Sequence, residues 1–326
     1  MNYCLANKKL SVIVSFYNED ESIDAFVEET VGELEKIKEL DYEIIFVNDN
    51  SKDGSLNKLL KQRESNSKIK IINLSRRFGP MESIMAGIKM SSGDALVNLD
   101  IDLQDPPSLI NKMVKFWREE NYDVVFTTRT GREGESLIKK IISSIGYKIL
   151  KRFTNIPIEK DSGDFRLISK RVIEEYKKFS EVYPFFRFVV DWIGFKRKQI
   201  FYERKSRRKG KTKHPFGLGI FFNFFEVSLT PFTDAPIRFA LIFGIISFIT
   251  CLIIMLRTLY LFFLGVPFQE ISSTSIFVAI LFFGSIQSLI LGVLSIYVGS
   301  IFKESKKRPL YIIDKTYGFE DSSEIQ

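Results

Sequence analysis

The stretch Gly93–Pro107 reads GDALVNLDIDLQDPP, an apolar run followed by three acids and two prolines. Its apolar first half predicts a buried strand over Asp94–Leu99. Asp100 and Asp102 follow, and side chains two residues apart in an extended chain point to one face. Carboxylates on one face repel unless a cation lies between them, and Mg²⁺ and Mn²⁺ take oxygen ligands. The tripeptide alone is equally compatible with a solvated turn.

Apolar runs and helical patterns alternate around this stretch. Strands that alternate with helices predict an α/β fold with a mainly parallel sheet covered on both faces, which binds ligands at the carboxyl ends of its strands. The predicted strands are Leu10–Phe16, Tyr42–Asn48, Ile69–Leu74, Asp94–Leu99 and Asp123–Thr128, and the predicted helices are Glu21–Leu40, Ser55–Ser65, Met81–Met90 and Pro107–Glu119.

A second acid, Asp49, follows the predicted strand Tyr42–Asn48. At a strand end, an acid can bind a ribose hydroxyl or a base edge. Asn50, next to it, tolerates a left-handed backbone conformation. The alternative is an ordinary turn in which Asp53 or Ser55 caps the next helix.

Composition excludes several classes of protein. The 326 residues include 47 Lys and Arg against 40 Asp and Glu, a net charge of +7, and 45% are hydrophobic, which argues against wholesale disorder. Two cysteines are too few for a disulfide framework or a cysteine-based zinc site. The single histidine, His214, lies among lysines and arginines, which argues against a Ser-His-Asp triad. The first residues lack the apolar core of a signal peptide, so we expect a cytoplasmic N-terminal part.

Two long uncharged stretches lie towards the C-terminal end. Residues 239–256 and 276–302 contain 18 and 27 positions without a charge, and about 20 helical residues cross a bilayer core. We predict two transmembrane helices, the alternative being two buried core helices. Basic residues flank the pair, including Arg238 and Lys303, whereas the connecting loop has one charge, Glu270. The positive-inside rule therefore predicts that both ends are cytoplasmic.

Two further segments are candidates for the membrane interface. In Leu137–Phe153, isoleucines form one helical stripe and lysines lie largely elsewhere, which is typical of an amphipathic helix in the headgroup plane. The alternative is a surface helix packed on the domain core. Phe216–Phe232 carries six phenylalanines, which we interpret as membrane anchors. The predicted divisions are a cytoplasmic α/β domain over 1–213, a juxtamembrane segment over 214–236, membrane helices over 237–302 and a cytoplasmic basic tail over 303–326.

Further motifs are spread over the chain. They are SFYNE (Ser15–Glu19), VNDNSKDGS (Val47–Ser55), LSRRFG (Leu74–Gly79), Ala86-Gly87, GDFRL (Gly163–Leu167) and Tyr202-x-Arg204-x-x-Arg207-x-x-Gly210-x-Thr212-Lys213. With Gly93–Pro107, this set resembles family 2 glycosyltransferases. More closely, it resembles the bacterial polyprenyl-phosphate glycosyltransferases, relatives of dolichyl-phosphate mannose synthase.

The resemblance implies a reaction and its setting. It implies a GT-A (Rossmann-like) catalytic domain, interfacial amphipathic helices and two transmembrane helices, in the bacterial inner membrane with both termini cytoplasmic. The implied reaction is inverting transfer of a hexose from a nucleotide sugar such as UDP-glucose to undecaprenyl phosphate, with Mg²⁺ or Mn²⁺, for surface glycan modification. GDP-mannose is the alternative donor. The resemblance also implies contact with membrane lipids and assembly into a homo-tetramer. No nucleic acid is expected, because the basic run has neither interleaved aromatics nor a helix-turn-helix pattern.

The resemblance also implies roles for individual residues. Asp100, Asp102 and Gln104 would surround the metal. The nucleotide sugar would be bound by Tyr17, Asn18, Glu19, Asp49, Arg77, Asp100, Arg204, Arg207 and Lys213. Arg129 and Arg166 would meet the acceptor phosphate. For catalysis we expect Asp102 and Asp164. Asp164 would be a general base or a sugar-hydroxyl anchor, the alternative being a structural carboxylate paired with Arg166.

Three other classes stay open at this point. A processive polysaccharide synthase would have more membrane helices and a Gln-x-x-Arg-Trp motif, which neither Trp117 nor Trp192 completes. A non-enzymatic membrane scaffold would not need intact Asp100, Asp102 and Asp164. A nucleotide-binding domain with a membrane anchor would be favoured by GxGxxG or GxxxxGK[ST], and neither occurs.

Overall fold

The structure is a computed structural model that describes residues 8–130, 159, 162–179, 185–203, 235–265 and 273–319. It divides into two compact units. The first combines the N-terminal part of the chain with Pro309–Gln326, and the second contains the long helices between them. The predicted interfacial segments Leu137–Phe153 and Phe216–Phe232 lie outside the described residues.

The first unit is built on an eight-stranded sheet. Its strands are β1 (Lys8–Phe16), β2 (Leu40–Asn48), β3 (Ile69–Leu74), β4 (Ala95–Asn98), β5 (Val124–Arg129), β6 (Ser162–Ser169), β7 (Arg197–Tyr202) and β8 (Ile313–Tyr317). Their order across the sheet is β7-β5-β6-β4-β1-β2-β3-β8. Four pairings are parallel, β1 with β2 and β4, β2 with β3, and β5 with β7, whereas β6 and β8 run antiparallel to their neighbours. The sheet is therefore mixed, with a parallel centre.

Helices cover both faces of the sheet. They are α1 (Ile23–Glu35), α2 (Ser55–Ser65), α3 (Pro80–Met90), α4 (Leu109–Glu119), α5 (Lys170–Lys177) and α6 (Phe186–Ile193). On one face, Leu10 and Val12 of β1 share a core with apolar residues of α1, α2 and α4. On the other face, α3 packs against β1 and β2. A Cβ on Gly87 of α3 would lie 2.5 Å from Ile13 Cγ2, so only glycine allows this close approach.

The predicted α/β class is confirmed in the first unit. All five predicted strands and all four predicted helices are present, with bounds that differ by a few residues. The central strands are buried on both faces, which explains why each is an almost continuous apolar run in the sequence. Strands β6, β7 and β8 were not predicted.

The second unit consists of two long helices, α7 (Ala235–Phe263) and α8 (Ser273–Ser305). They contain apolar segments of 22 and 27 residues, Ala240–Leu261 and Ala279–Ser305, each long enough to cross a membrane. The two helices contact each other, but their large apolar side chains are mostly exposed. Extended exposed apolar surface of this kind is typical of membrane-associated helices. Both predicted spans lie within α7 and α8.

The chain that follows α8 contributes the strand β8 to the first unit. β8 pairs with β3 in antiparallel register, with Ile71 opposite Tyr317 and Asn73 opposite Lys315. The N–H of Ser75 also donates to the carbonyl of Ile312 at 2.9 Å. Part of the predicted basic tail is therefore an edge strand of the sheet.

Candidate active site

The sheet topology gathers the predicted site residues at one edge. Strands β1 to β5 all point their carboxyl ends to this edge, and β6, which runs antiparallel to β4 and β5, begins there. We call it the carboxyl edge. The predicted site residues of the described chain that follow these strands, or begin β6, are Tyr17, Asn18, Glu19, Asp49, Arg77, Asp100, Asp102, Gln104, Arg129 and Asp164.

The loop after β4 alternates between buried and partly exposed side chains. Ile101 and Leu103 are buried, whereas Asp100, Asp102 and Gln104 are half-buried. Asp102 Oδ1 accepts the N–H of Gln104 at 3.1 Å, which closes a tight turn. Leu103 has a φ of 55°, an uncommon conformation for a residue with a branched side chain. The turn therefore keeps two carboxylates partly accessible at the carboxyl edge.

Asp49 connects the end of β2 to the loop after β3. Its Oδ1 accepts the N–H of Phe78 at 2.7 Å and its Oδ2 accepts the N–H of Gly79 at 3.1 Å. Burial raises the pKa of Asp49, and these two hydrogen bonds oppose that rise. The Arg77 guanidinium from the same loop lies 4.1 Å from the ring centroid of Tyr17, a cation–π contact. Asp49 thus holds the loop after β3 in place through two hydrogen bonds. Its contact with a nucleotide stays a prediction.

The loop after β1 is held by the loop after β2. Asn18 has a φ of 52°, its N–H donates to Ser51 Oγ at 2.9 Å, and its Oδ1 accepts the N–H of Lys52 at 2.8 Å. The N–H of Glu19 donates to Ser55 Oγ at 3.0 Å. The two loops therefore form one hydrogen-bonded wall of the carboxyl edge.

Arg129 is fixed by two partners that the sequence analysis did not place in the site. Its Nε donates to the hydroxyl of Tyr202 at 3.1 Å, and its Nη2 lies 3.7 Å from Asp105 Oδ2. The Tyr202 hydroxyl in turn donates to Asp105 Oδ1. Burial, with Asp105 beside it, raises the pKa of Tyr202 to about 12, so the hydroxyl remains protonated at neutral pH. Asp105 ends the Asp-x-Asp-x-x-Asp pattern, a third acid that could have indicated this role.

Two buried side-chain oxygens at the carboxyl edge have neither a hydrogen bond nor an ion pair within the part of the chain described. They are Asn98 Oδ1, at the end of β4, and Asp164 Oδ1, near the start of β6. Asn98 Nδ2 donates to the backbone carbonyl of Asp164 at 3.2 Å, so the two residues are adjacent. Buried polar atoms are usually paired, and orphaned acceptors of this kind fit a donor group or a cation supplied by a ligand.

The carboxylates at the carboxyl edge suit a hard cation whose remaining ligands come from the substrate. Across the described ranges, no group of three or more His, Cys, Asp or Glu residues could hold a metal ion. Mg²⁺, however, is usually held by one or two carboxylates together with substrate phosphates. Asp100 and Asp102, which are half-buried at the carboxyl edge, would supply those carboxylates, and in this respect the residues fit the predicted Mg²⁺ or Mn²⁺.

Arg166 is fully buried, and both terminal nitrogens of its guanidinium bond to the protein, whereas its Nε has no hydrogen-bond partner within the described residues. Its donors reach Asp191 Oδ1 at 3.1 Å and, at 3.2 Å each, the carbonyls of Arg187 and Gly163 and the hydroxyl of Ser162. Within the described residues its ion pair is with Asp191, not with Asp164. This burial argues against the predicted acceptor-phosphate role and favours support of the β6 start. The predicted residues Arg204, Arg207 and Lys213 lie outside the described residues.

The whole chain is similar to known glycosyltransferases. Residues 11–177 match the family described as Glycosyl transferase family 2. An uncharacterized glycosyltransferase of Bacillus subtilis, YkcC, is 39% identical over 314 residues, 95% of each chain. The bactoprenol glucosyl transferase of Shigella phage SfII is 32% identical over 313 residues, 95% of this chain and 98% of the relative.

Among solved structures, residues 1–349 of S. aureus TarS in complex with UDP-GlcNAc match with 15% identity and a TM-score of 0.45. That match covers 67% of this chain and 64% of the TarS chain. The family match covers the sheet domain up to α5, and it confirms the predicted GT-A-like fold class and enzyme class. The chain belongs to glycosyl transferase family 2.

Proposed function

We propose that this enzyme transfers a hexose, with inversion, from a nucleotide sugar to undecaprenyl phosphate, for modification of a surface glycan. The observation that carries the proposal is that one chain joins the carboxylate-lined edge of a sheet to two exposed apolar helices. A nucleotide sugar is dissolved in water, whereas a polyprenyl tail stays in the bilayer, so the enzyme needs both parts. The name of the phage SfII relative, bactoprenol glucosyl transferase, supports glucose as the sugar.

The chemistry is a single displacement at the anomeric carbon. An oxygen of the acceptor phosphate forms the new bond as the bond to the nucleoside diphosphate breaks. A phosphate monoester is already an anion at pH 7, so removal of a proton is not its main barrier. Positioning matters more, and Arg129 suits it because Asp105 and Tyr202 fix its guanidinium in one orientation.

The leaving diphosphate needs charge stabilisation. Asp100 and Asp102, with Gln104 beside them, would hold Mg²⁺ or Mn²⁺, which supplies positive charge opposite the departing phosphates. We assign Arg204, Arg207 and Lys213 to the same diphosphate, because guanidinium groups bind phosphate in a bidentate manner. Asp164 would orient a sugar hydroxyl or accept a proton through its orphaned oxygen.

We further propose that the enzyme lies in the bacterial cytoplasmic membrane with both termini in the cytoplasm. The pairing of β8 with β3 supports this topology. One strand precedes α7 and the other follows α8, yet both belong to one sheet, so the chain has to cross the membrane an even number of times. A homo-tetramer stays a prediction.

A donor screen on the purified full chain in detergent tests the reaction. Undecaprenyl phosphate and Mn²⁺ are combined with UDP-glucose, UDP-galactose, UDP-N-acetylglucosamine or GDP-mannose, and lipid-linked sugar is detected by mass. We expect one donor, UDP-glucose, to give a product that disappears with EDTA. A product from GDP-mannose alone would support the mannose alternative. No lipid product from any donor, with nucleotide binding intact, would contradict the proposal.

A variant pair tests the assigned carboxylate. We expect Asp102→Asn to lower transfer by at least a hundredfold, because the metal loses a charged ligand. The matched control is Asp41→Asn, which removes an exposed carboxylate paired with Lys68 at the other end of β2. Full activity of the Asp102→Asn variant would contradict the metal assignment.

A further inference from the structure

A continuous chain of hydrogen bonds runs from β8 to the loops after β2 and β1. Asp314 Oδ2 accepts from Asn73 Nδ2 at 3.0 Å, and Asn73 Oδ1 accepts from Asn48 Nδ2 at 2.7 Å. Asn48 Oδ1 then accepts the N–H of Ser51 at 3.0 Å, and Ser51 Oγ accepts the N–H of Asn18 at 2.9 Å. The chain of contacts crosses three neighbouring strands and ends in the loop after β1.

The carboxylate of Asp314 sets the direction of this chain. An ionised carboxylate only accepts hydrogen bonds, so Asn73 has to turn its NH₂ group towards it. The carbonyl oxygen of Asn73 then faces Asn48, so the NH₂ group of Asn48 has to donate the hydrogen bond between them. Asn48 is buried, with 1% of its surface exposed, so a wrongly turned amide there would leave unpaired polar atoms. One surface residue thus orients two amides in sequence.

A second path reaches the same loops from the same segment. The carbonyl of Ile312 accepts the N–H of Ser75, and the carbonyl of Ser75 accepts from Asn50 Nδ2 at 2.6 Å. Asn50 has a φ of 57° and Asn18 has a φ of 52°, conformations that cost free energy and persist where their surroundings fix them. The segment around β8 therefore supports the left-handed conformations of both Asn18 and Asn50.

We propose that Asp314 is a positioning residue for the nucleotide-binding loops after β1 and β2, acting through Asn73 and Asn48. The inference rests on the proposed function for the identity of the ligand, because Tyr17 and Asp49 in these loops are the residues assigned to the nucleotide. It does not need Asp314 to touch any substrate. It makes Asp314, which follows the second apolar helix, an indirect support of the loops that would bind the donor.

Three variants of the full chain test this role. Asp314→Ala removes the acceptor, Asp314→Asn keeps an acceptor oxygen of the same size, and Lys315→Ala is the matched control on the same exposed strand. Hydrogen exchange is measured at the amides of Asn18, Ser51 and Lys52, and the dissociation constant of UDP is measured with Mn²⁺. Melting temperature and the kinetic constants for donor and acceptor are measured alongside.

We expect Asp314→Ala to accelerate exchange at these three amides by about tenfold, because they lose the fixed partners that limit opening. The Kd of UDP and the KM for the donor should rise by about fivefold, the effect of one lost hydrogen bond. The kcat, the acceptor KM and the melting temperature should match those of Lys315→Ala. Asp314→Asn should restore most of the loss.

The outcomes separate this inference from the reaction itself. If Asp314→Ala and Lys315→Ala give the same exchange and the same UDP affinity, the inference is wrong, whatever the enzyme transfers. A lower kcat or melting temperature with unchanged donor KM would indicate a merely structural role and would also overturn it. If exchange changes as expected while the unmodified chain makes no lipid-linked sugar, the inference holds and the proposed reaction fails.

Discussion

Buried carboxylates at the two ends of the sheet differ in how many protein partners they have. Near the amino ends, Glu43 accepts hydrogen bonds from Ser11 Oγ at 2.6 Å and the N–H of Ser92 at 2.9 Å, and lies 3.1 Å from Lys9 Nζ and 2.8 Å from Lys70 Nζ. At the carboxyl edge, Asp164 Oδ1 is buried without a hydrogen-bond partner among the described residues. Both are acids of one sheet, but only one is saturated by the protein.

Carboxylates that stabilise the fold can therefore be distinguished from carboxylates that are available to a ligand. A saturated carboxylate stabilises the fold and has no capacity left for a ligand. An orphaned oxygen costs stability and is tolerated where a ligand completes it. A substitution at the carboxyl edge should therefore lower activity and leave stability nearly unchanged, whereas a substitution at the amino ends should lower stability and leave activity unchanged.

The largest expected effect is at the carboxyl edge. Asp164→Asn should lower kcat by about a thousandfold, because a positioned carboxylate contributes of this order to proton transfer or orientation. The melting temperature should stay within about two degrees, since no hydrogen bond to Oδ1 is lost. Lipid-linked product and thermal unfolding are measured on the same preparation. A lower melting temperature with a normal kcat would contradict this prediction, because it would show that Asp164 stabilises the fold instead of acting in catalysis.

The next effect is at the amino ends. Glu43→Gln leaves two lysines beside a neutral amide, and we expect it to lower the free energy of unfolding by about 3 kcal/mol. The kcat per folded molecule should not change. Denaturant unfolding of the full chain measures the loss. Glu33→Gln, which breaks only the surface contact with Lys36, is the control and should change the free energy of unfolding by less than about 1 kcal/mol.

Because of Glu43, we also expect the free energy of unfolding to fall in acid. Burial opposes its ionisation, but Lys70, Ser11, Ser92 and Lys9 lower the pKa of Glu43 from 4.5 to about 2. The unfolded chain therefore takes up the proton first as pH falls. Above pH 4.5 the stabilisation is complete, and between 4.5 and about 2 most of roughly 3 kcal/mol is lost. Unfolding at several pH values measures this slope, and an equally steep slope in Glu43→Gln would contradict the assignment.

A smaller effect is expected at the support of Arg129. Tyr202→Phe removes the hydroxyl that links Arg129 to Asp105. We expect the KM for undecaprenyl phosphate to rise by about tenfold with little change in the KM for the donor, because the acceptor-side guanidinium loses its orientation. Steady-state kinetics with each substrate varied in turn measure the split. An equal rise in both KM values would show that the link supports the whole domain instead.

The sequence predicted the centre of the sheet well because its strands are buried on both faces. Buried strands such as β2 are almost continuous apolar runs, and no polar alternation obscures them. The edge strand β8 reads IDKTY, with three exposed polar side chains. Such a segment has no apolar pattern to detect, and only its pairing with β3 makes it a strand.

The residues of the site that follow strands could also be predicted, whereas contacts between residues far apart in the sequence could not. Asp100 and Asp102 could be placed because strand ends meet at one edge of a parallel sheet. The contact between Tyr202 and Asp105 joins residues 97 positions apart, and no local spacing reports it. The same holds for Asp314 and Asn73, which are 241 positions apart. No local spacing reports that Arg166 pairs with Asp191 of α6, 25 positions away, and its acceptor-phosphate role stays a prediction.

The position of β8 also has a consequence for the order in which the enzyme is made. β8 is synthesised about 240 residues after β3, its only neighbour in the described sheet. At about 5–20 residues per second, a ribosome needs some 12 to 48 seconds for that interval. Until then β3 has an open edge, the kind of surface on which chains aggregate. Both apolar helices are synthesised in that interval, so β3 keeps an unpaired edge until the last strand of the described sheet is made.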